Sequence, residues 1–517
     1  MKVLRMSCLA LMMAAAEAAM AGGLLTNTNQ NVAFLRNPAR DGAIGIDGVY
    51  SNPAGVVFLG EGFHLSINLQ NAHQTRTVSS WSELYKLGMN NGDDNFKKFK
   101  GEADAPIIPS LQAAYNKGDW SFQFGFAITG GGGKCTFDYG IPTFETSIAQ
   151  IAQQLAPLGA TGYDMKAYMQ GRQYYFGFTA GAAYKINDNL SVYGGLRLLY
   201  GNASYKATVN NIKVNTQAGA VPFDQFLDAA TMKVAGGLAQ IEENLPLVAA
   251  GITQVQQGID QYTNAGQPVP AELTQKLQEL QTTQQTLLTT QQTLLATEGN
   301  LDMLEPYRNG VNLMCDQTAW GVAPIIGIDY KTGNLNLAAK YEFKTRMRMK
   351  NKSTVKEASL IAAVNKFRDG ELVAEDSPAL LTVGAQYSIL PSLRINAGWH
   401  HFFDVDTKQY TKDMLGDSNE YLFGAEYDIC KKLEVSAGMQ RTEYDLKDAV
   451  MNDISFNVSS YSVGFGFGYQ ISDKVKVNAA YFQTFYDDYN KAKDANGVTN
   501  SFTRTNRVIG LGVDLKL

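Results

Sequence analysis

Residues 508–517, Val-Ile-Gly-Leu-Gly-Val-Asp-Leu-Lys-Leu, alternate without a break. Ile509, Leu511, Val513, Leu515 and Leu517 are apolar, and Gly510, Gly512, Asp514 and Lys516 stand between them. Successive side chains of a strand point to opposite faces, so this segment shows one face to an apolar phase and the other to a polar or tightly packed one. The same period recurs upstream. Trp120, Phe122, Phe124 and Phe126 alternate with Ser121, Gln123 and Gly125; Leu433, Val435, Ala437 and Met439 alternate with Glu434, Ser436, Gly438 and Gln440.

Read with its turn signals, the pattern predicts fourteen strands near 62–78, 108–116, 119–129, 172–186, 189–209, 319–331, 334–349, 378–389, 392–402, 418–429, 432–443, 456–471, 474–487 and 504–517. Most reach the roughly 9–11 residues that a tilted strand needs to cross a bilayer. Short turns such as Asn116-Lys117-Gly118-Asp119 and Lys331-Thr332-Gly333-Asn334 alternate with long connections near 79–107, 129–171, 210–318, 350–377, 403–417, 444–455 and 488–503. A soluble sandwich has no reason to sort its loops this way, whereas an outer-membrane barrel has short turns at one rim and long loops at the other. Closure also pairs every backbone amide in lipid, where an open edge is costly. The expected fold is an all-β, 14-stranded antiparallel transmembrane β-barrel of the bacterial outer membrane, with an N-terminal lumen plug and a long α-helical hairpin in the third extracellular loop.

Residues 1–21 read as a cleaved signal peptide: Lys2 and Arg5, an apolar run over 9–16, and Ala19-Met20-Ala21 before Gly22. The formal net charge of −5 excludes a generally basic nucleic-acid binder. Four cysteines in 517 residues exclude a disulfide scaffold. Residues 22–60 do not alternate, yet Val32, Phe34, Leu35, Val49, Val56, Val57 and Phe58 are too apolar for a solvated tail. They need a buried place, and the barrel lumen (barrel, 61–517) offers one.

Within this segment, Asp47-Gly48-Val49-Tyr50-Ser51-Asn52-Pro53-Ala54-Gly55 resembles the N-terminal hatch motif of the FadL/TodX family of outer-membrane transporters for long-chain fatty acids and other hydrophobic compounds. The resemblance spans nearly the whole chain, with Asn52, Pro53, Ala54 and Gly55 as its signature. It implies passive uptake without nucleotide or cofactor: capture at extracellular loops, transfer to a site beside the hatch, and sideways exit through a gap made by a kink in the third strand. Here that strand holds Gly125 and runs into Gly130, Gly131, Gly132 and Gly133, which suits either a kink or a plain loop start. Two features depart from the family: a final Leu517 instead of an aromatic residue, and the length of the third external loop.

The sequence offers no catalytic constellation. His400 and His401 are adjacent on one strand and face opposite sides, which suits neither a metal pair nor a triad, and no Cys or His spacing points to a metal. The chain therefore reads as no enzyme. On the seventh strand the lipid register Leu335, Leu337, Ala339, Tyr341, Phe343 leaves Lys340, Glu342, Lys344, Arg346, Arg348 and Lys350 facing the lumen. That basic ladder would hold a ligand carboxylate through charge-assisted bonds, pair with lumen acids or with hatch carboxylates such as Asp41 and Asp47, or bind anionic surface sugars. Phe144, Ile148, Ile151, Leu155 and Leu158 in the second loop follow helical spacing and form either a capture groove or a rim contact. Cys135 and Cys315 fall at external loop bases, where an oxidising compartment permits a disulfide.

Residues 210–318 turn abruptly to Gln, Thr, Ala and Leu. Phe223 to Tyr262 carry helical spacing, and Leu273, Leu280, Leu287, Leu294 and Leu301 repeat every seven residues. A seven-residue apolar repeat marks a seam against a partner helix, here the first helix of an antiparallel hairpin. Such a projection exceeds what a ligand gate needs. The alternative function is therefore a plugged surface barrel whose hairpin binds a partner protein or host molecule.

Overall fold

The computed structural model describes residues 26–89, 91–356, 366–453 and 456–517; the expected signal peptide lies outside them. Fourteen antiparallel strands close into one barrel: β1 (Gly62–Trp81), β2 (Phe96–Lys117), β3 (Trp120–Phe137), β4 (Gly162–Lys185), β5 (Leu190–Thr216), β6 (Val311–Thr332), β7 (Leu335–Glu342, resuming at Arg348–Ser353), β8 (Leu380–Leu390), β9 (Leu393–Phe402), β10 (Ser418–Cys430), β11 (Leu433–Glu443), β12 (Ser460–Ser472), β13 (Val475–Tyr486) and β14 (Thr499–Lys516). Each pairs with its neighbours in chain order, and β1 closes the cylinder on β14, from His64 opposite Lys516 to Trp81 opposite Thr499.

The alternating faces behave as a barrel in lipid requires. Leu511 and Phe122 on the outer register are 63% and 55% exposed. Ser66, Asn68, Gln112 and Ser121 on the inner register are buried. Strands β1–β6 run well past the length needed to cross a bilayer; the sequence pattern locates their membrane portions but stops short of their extracellular extensions. Above the lipid both faces meet water or protein, so strict alternation is no longer required.

The loop between β5 and β6 folds into two helices, α3 (Phe223–Asn264) and α4 (Ala271–Leu304), after α1 (Val32–Arg36) in the N-terminal segment and α2 (Pro142–Gln154) in the second long loop. The leucine seam of α4 packs on small positions of α3: a Cβ at Gly237 would lie 2.9 Å from Leu294 Cδ1, and one at Gly251 would lie 3.4 Å from Leu280 Cδ1. At about 1.5 Å per residue, α3 is roughly 60 Å long. Its buried residues, Phe223, Phe226, Leu227, Ala230, Val234 and Ile241, cluster toward the base, with Leu301 and Leu304 of α4.

Candidate functional site

Residues 26–60 lie inside the barrel and are tied to strands around most of its circumference. Asn31 caps α1 through a 2.6 Å bond from Ala33 N to its Oδ1, while its Nδ2 donates to Gln112 Oε1 of β2 at 2.8 Å. Arg36 pairs with Glu434 of β11 at 2.8 Å; Arg40 pairs with Asp47 at 2.7 Å and also with Glu426 of β10. His400 of β9 sets one ring nitrogen 2.9 Å from Asp41 and the other 2.7 Å from Glu420 of β10. Isolated buried charges are expensive, so this segment is held by paired ones.

The Asn-Pro-Ala-Gly signature has a local explanation. Asn52 Nδ2 donates to Asp329 Oδ2 of β6 at 2.6 Å, and Asn52 Oδ1 accepts from Gly55 N at 3.1 Å. Pro53 O accepts from Gln123 of β3 at 2.7 Å, and Ala54 O accepts from Ser191 of β5 at 2.7 Å. A Cβ at Gly55 would sit 2.5 Å from Asn52 Nδ2 and 2.9 Å from Asp329 Oδ2, so any larger residue there would have to push this hydrogen-bonded pair aside. The inner glycines of the wall serve the same segment. A Cβ at Gly510 would lie 2.6 Å from Leu35 Cδ1, and Gly125 faces Val49.

Where β2 meets β3 the wall is interrupted. Pairing holds at Glu102–Thr136 and Ala103–Cys135, then resumes only at Leu111–Phe126. Between these points β3 slips twice against β4, at Ile128/Gly130 and Gly130/Gly133. Gly131 (φ 100°) and Gly133 (φ 73°) take left-handed backbone conformations open to glycine, and a Cβ at Gly131 would run into the Gln173 carbonyl. Of the glycines singled out in the sequence, Gly130, Gly131, Gly132 and Gly133 border the interruption. Gly125 does not: it pairs regularly with Gln112.

A cavity of about 220 Å³ lies behind the interruption, lined by Thr26–Gln30 of the lumen segment, Ile108 and Pro109 of β2, Ala127 and Ile128 of β3, and inner residues of β10–β14. Phe34, Phe482 and Val508 supply apolar surface; Gln440, Tyr486 and Arg504 supply polar groups. Apart from Phe34, Gln440 and the glycines, sequence reasoning did not name these lining residues. Their signal was present in the inner registers of the first and last strands, which become neighbours only on closure.

The basic ladder of the seventh strand does not face the lumen as expected. Glu342 lies opposite Ile325, but Lys350 lies opposite Thr318: eight residues on β7 span seven on β6. One extra residue turns every later side chain to the other face. Lys340 and Glu342 remain inside, where Lys340 Nζ donates to Tyr50 O at 2.6 Å and Glu342 pairs with Arg197 at 2.6 Å. Beyond the bulge, Met347 and Met349 point inward and are fully buried, whereas Arg346 and Lys350 are exposed outside. Arg348 pairs with Asp376 at 2.6 Å, and Lys344 donates to Asp406 O at 2.7 Å. None of Lys344, Arg346, Arg348 or Lys350 reaches the cavity lining.

The second-loop stretch falls on and just after α2, and its apolar face is covered. Ile151 and Leu155 are buried, with Phe144 and Ile148 partly so, against Phe223, Phe226 and Leu227 at the base of α3. This is rim packing, not an open groove. Cys135 and Cys315 are free thiols. Cys135 pairs across to Gly171, Gly171 to Tyr205, and Tyr205 to Cys315, so two strands intervene. Three strand spacings amount to about 14 Å, twice the roughly 7 Å limit for bridging.

A family model described as Gram-negative porin matches residues 308–503. No curated protein sequence matches the chain. Among solved structures, a Pseudomonas aeruginosa FadL homologue aligns with a TM-score of 0.57 at 12% identity, covering 96% of this chain and 100% of that one. A deltaS2S3 mutant of the TodX monoaromatic hydrocarbon channel aligns with a TM-score of 0.53 at 14% identity (93% and 98% covered), and the Pseudomonas putida toluene transporter TodX with 0.50 at 12% (92% and 94%). The chain is an outer-membrane β-barrel of FadL-type fold.

Proposed function

We propose that this FadL-type barrel is a channel for passive uptake of hydrophobic or amphipathic molecules, long-chain fatty acids foremost, and not an enzyme. The ligand reaches the cavity from the extracellular loops, rests beside residues 26–30 and leaves sideways between β2 and β3. One observation carries this reading: the only long gap in β2–β3 pairing among the described residues opens onto the cavity that the lumen segment lines. An open water pore would need neither the filled lumen nor the interrupted wall. The names of the structural relatives, which refer to toluene and monoaromatic hydrocarbons, agree with a hydrophobic cargo.

The test is uptake of radiolabelled palmitate and toluene by cells that depend on this chain. Ala127→Trp, which puts an indole into the cavity mouth, should lower uptake at least about tenfold. Heat-modifiability on gels, the mark of a closed barrel, should be unchanged. Uptake no greater than in cells lacking the chain, or untouched by Ala127→Trp, would refute the route.

A second role falls to the hairpin. Its buried residues gather at the base, and α3 and α4 otherwise expose Met232, Leu247 and Leu295 away from the cavity. A surface partner protein or host molecule is its proposed target. Replacing 224–303 by a short Gly-Ser turn should spare uptake and abolish binding to the target; loss of uptake instead would make the hairpin part of the transport path.

A further inference from the structure

Arg76 of β1 stands directly opposite Arg504 of β14, with both side chains on the inner face. Like charges placed directly across a strand pair repel. Arg76 is only 8% exposed, and neither arginine has a carboxylate partner among the described residues. Arg504 Nη1 donates to Asn457 Oδ1 at 2.7 Å, its Nε is buried without a partner, and its guanidinium lies over Tyr486 at 4.8 Å. Arg76 reaches only Gln74 Oε1 at 3.4 Å and lies over Phe456 at 5.4 Å.

The other lumen arginines behave differently. Arg36, Arg40, Arg197 and Arg394 are each paired with one or more carboxylates. A buried guanidinium beside a half-buried one, both left without acids, is costly unless something anionic joins them. Arg504 lines the cavity, and so does Lys134 at the wall interruption. The two acids on the lining are already engaged: Glu420 by His400 and Gln440, and Asp104 by His73. Val78, Phe456 and Phe502 form an apolar cluster next to the arginines.

We propose that Arg76 and Arg504 form an anion site that binds the acid group of an amphipathic carboxylate, whose hydrocarbon chain lies in the cavity toward the β2–β3 interruption. The inference rests on the transport reading and narrows its cargo to acids. It also gives the headgroup role that the β7 ladder cannot fill to two residues 428 positions apart, joined by barrel closure.

Binding of palmitate and of methyl palmitate to the purified full-length barrel in detergent tests it. The wild type should bind the acid at least about tenfold more tightly than the ester, the scale of one charge-assisted hydrogen bond. Arg504→Gln should weaken acid binding more than ester binding and so erase that preference, and Arg504→Lys should restore part of it. Arg76→Gln provides an independent second variant, with heat-modifiability confirming that each barrel is closed. Equal binding of acid and ester by the wild type, or a preference that survives in both Gln variants, overturns the anion site while leaving hydrophobic transport standing. Binding of neither probe overturns the site together with the transport reading.

Discussion

Thr26 forms an isolated antiparallel bridge with Gly130. The start of the lumen segment is thus stitched to β3 where β3 has lost its partner β2, and Asn27 N completes the contact by donating to Thr129 O at 2.9 Å. The segment substitutes for the missing wall strand at this one point, which couples its position to the shape of the interruption.

Breaking that stitch should loosen β3 locally. Asn27→Pro removes the donor, and loss of about 1 kcal/mol should speed amide exchange over residues 127–134 roughly fivefold. Exchange in β11 and β12, far from the stitch, should stay as it is. Unchanged exchange over 127–134 would show that β3 holds its kink without help.

Asn52 ties the signature to the wall. Asn52→Ala strips a donor from Asp329 and an acceptor from Gly55 N, leaving Asn336 as the remaining side-chain donor to that carboxylate at 2.8 Å. The expected cost is about 2–3 kcal/mol, localised to the lumen segment. Faster amide exchange over 43–59 and larger single-channel conductance in planar bilayers are the readouts.

The bulge in β7 predicts a pattern of reactivity. A cysteine at Arg346→Cys should be labelled by a membrane-impermeant maleimide on intact cells, and one at Met347→Cys should be protected. Arg346→Ala combined with Lys350→Ala should change palmitate binding by less than about twofold, in contrast to Arg504→Gln. Strong protection at 346 would return the basic ladder to the lumen.

Asp404, in the extracellular loop after β9, is fully buried and accepts from Ser418 N at 3.1 Å and Ser418 Oγ at 2.5 Å. Burial outweighs those bonds and pushes its carboxyl up to about 7. The unfolded carboxyl titrates near 4, so between about pH 4 and pH 7 the folded loop holds a proton that the unfolded one has released. Its stability must fall as pH rises through that window. Exchange over 403–418, corrected for intrinsic rates, should show less protection at pH 8 than at pH 5, and Asp404→Asn should flatten the difference.

How far the sequence reaches can be seen strand by strand. The period of two and the alternation of short turns with long loops are local properties, and they located the strands from Trp120 to Leu517 with their lipid faces. The apolar residues of 32–58 demanded burial, and the seven-residue leucine repeat specified a helical hairpin. All of these follow from the chemistry of neighbouring residues. The β7 ladder failed because one added residue between Glu342 and Thr345 inverts the faces, and nothing in the local alternation distinguishes Arg346 inside from Arg346 outside.

The site was decided by the tertiary structure alone. Arg76 and Arg504 carry no shared motif, and each, taken singly, is an ordinary polar residue on an inner register. Closure of β1 on β14 sets them side by side with no acid paired to either among the described residues, and it places Arg504 on the lining of a cavity that the lumen segment and the broken β2–β3 ladder create together. Sequence pattern fixes which phase each face of a strand meets; only the closed cylinder, with its register shifts, fixes which side chains meet one another.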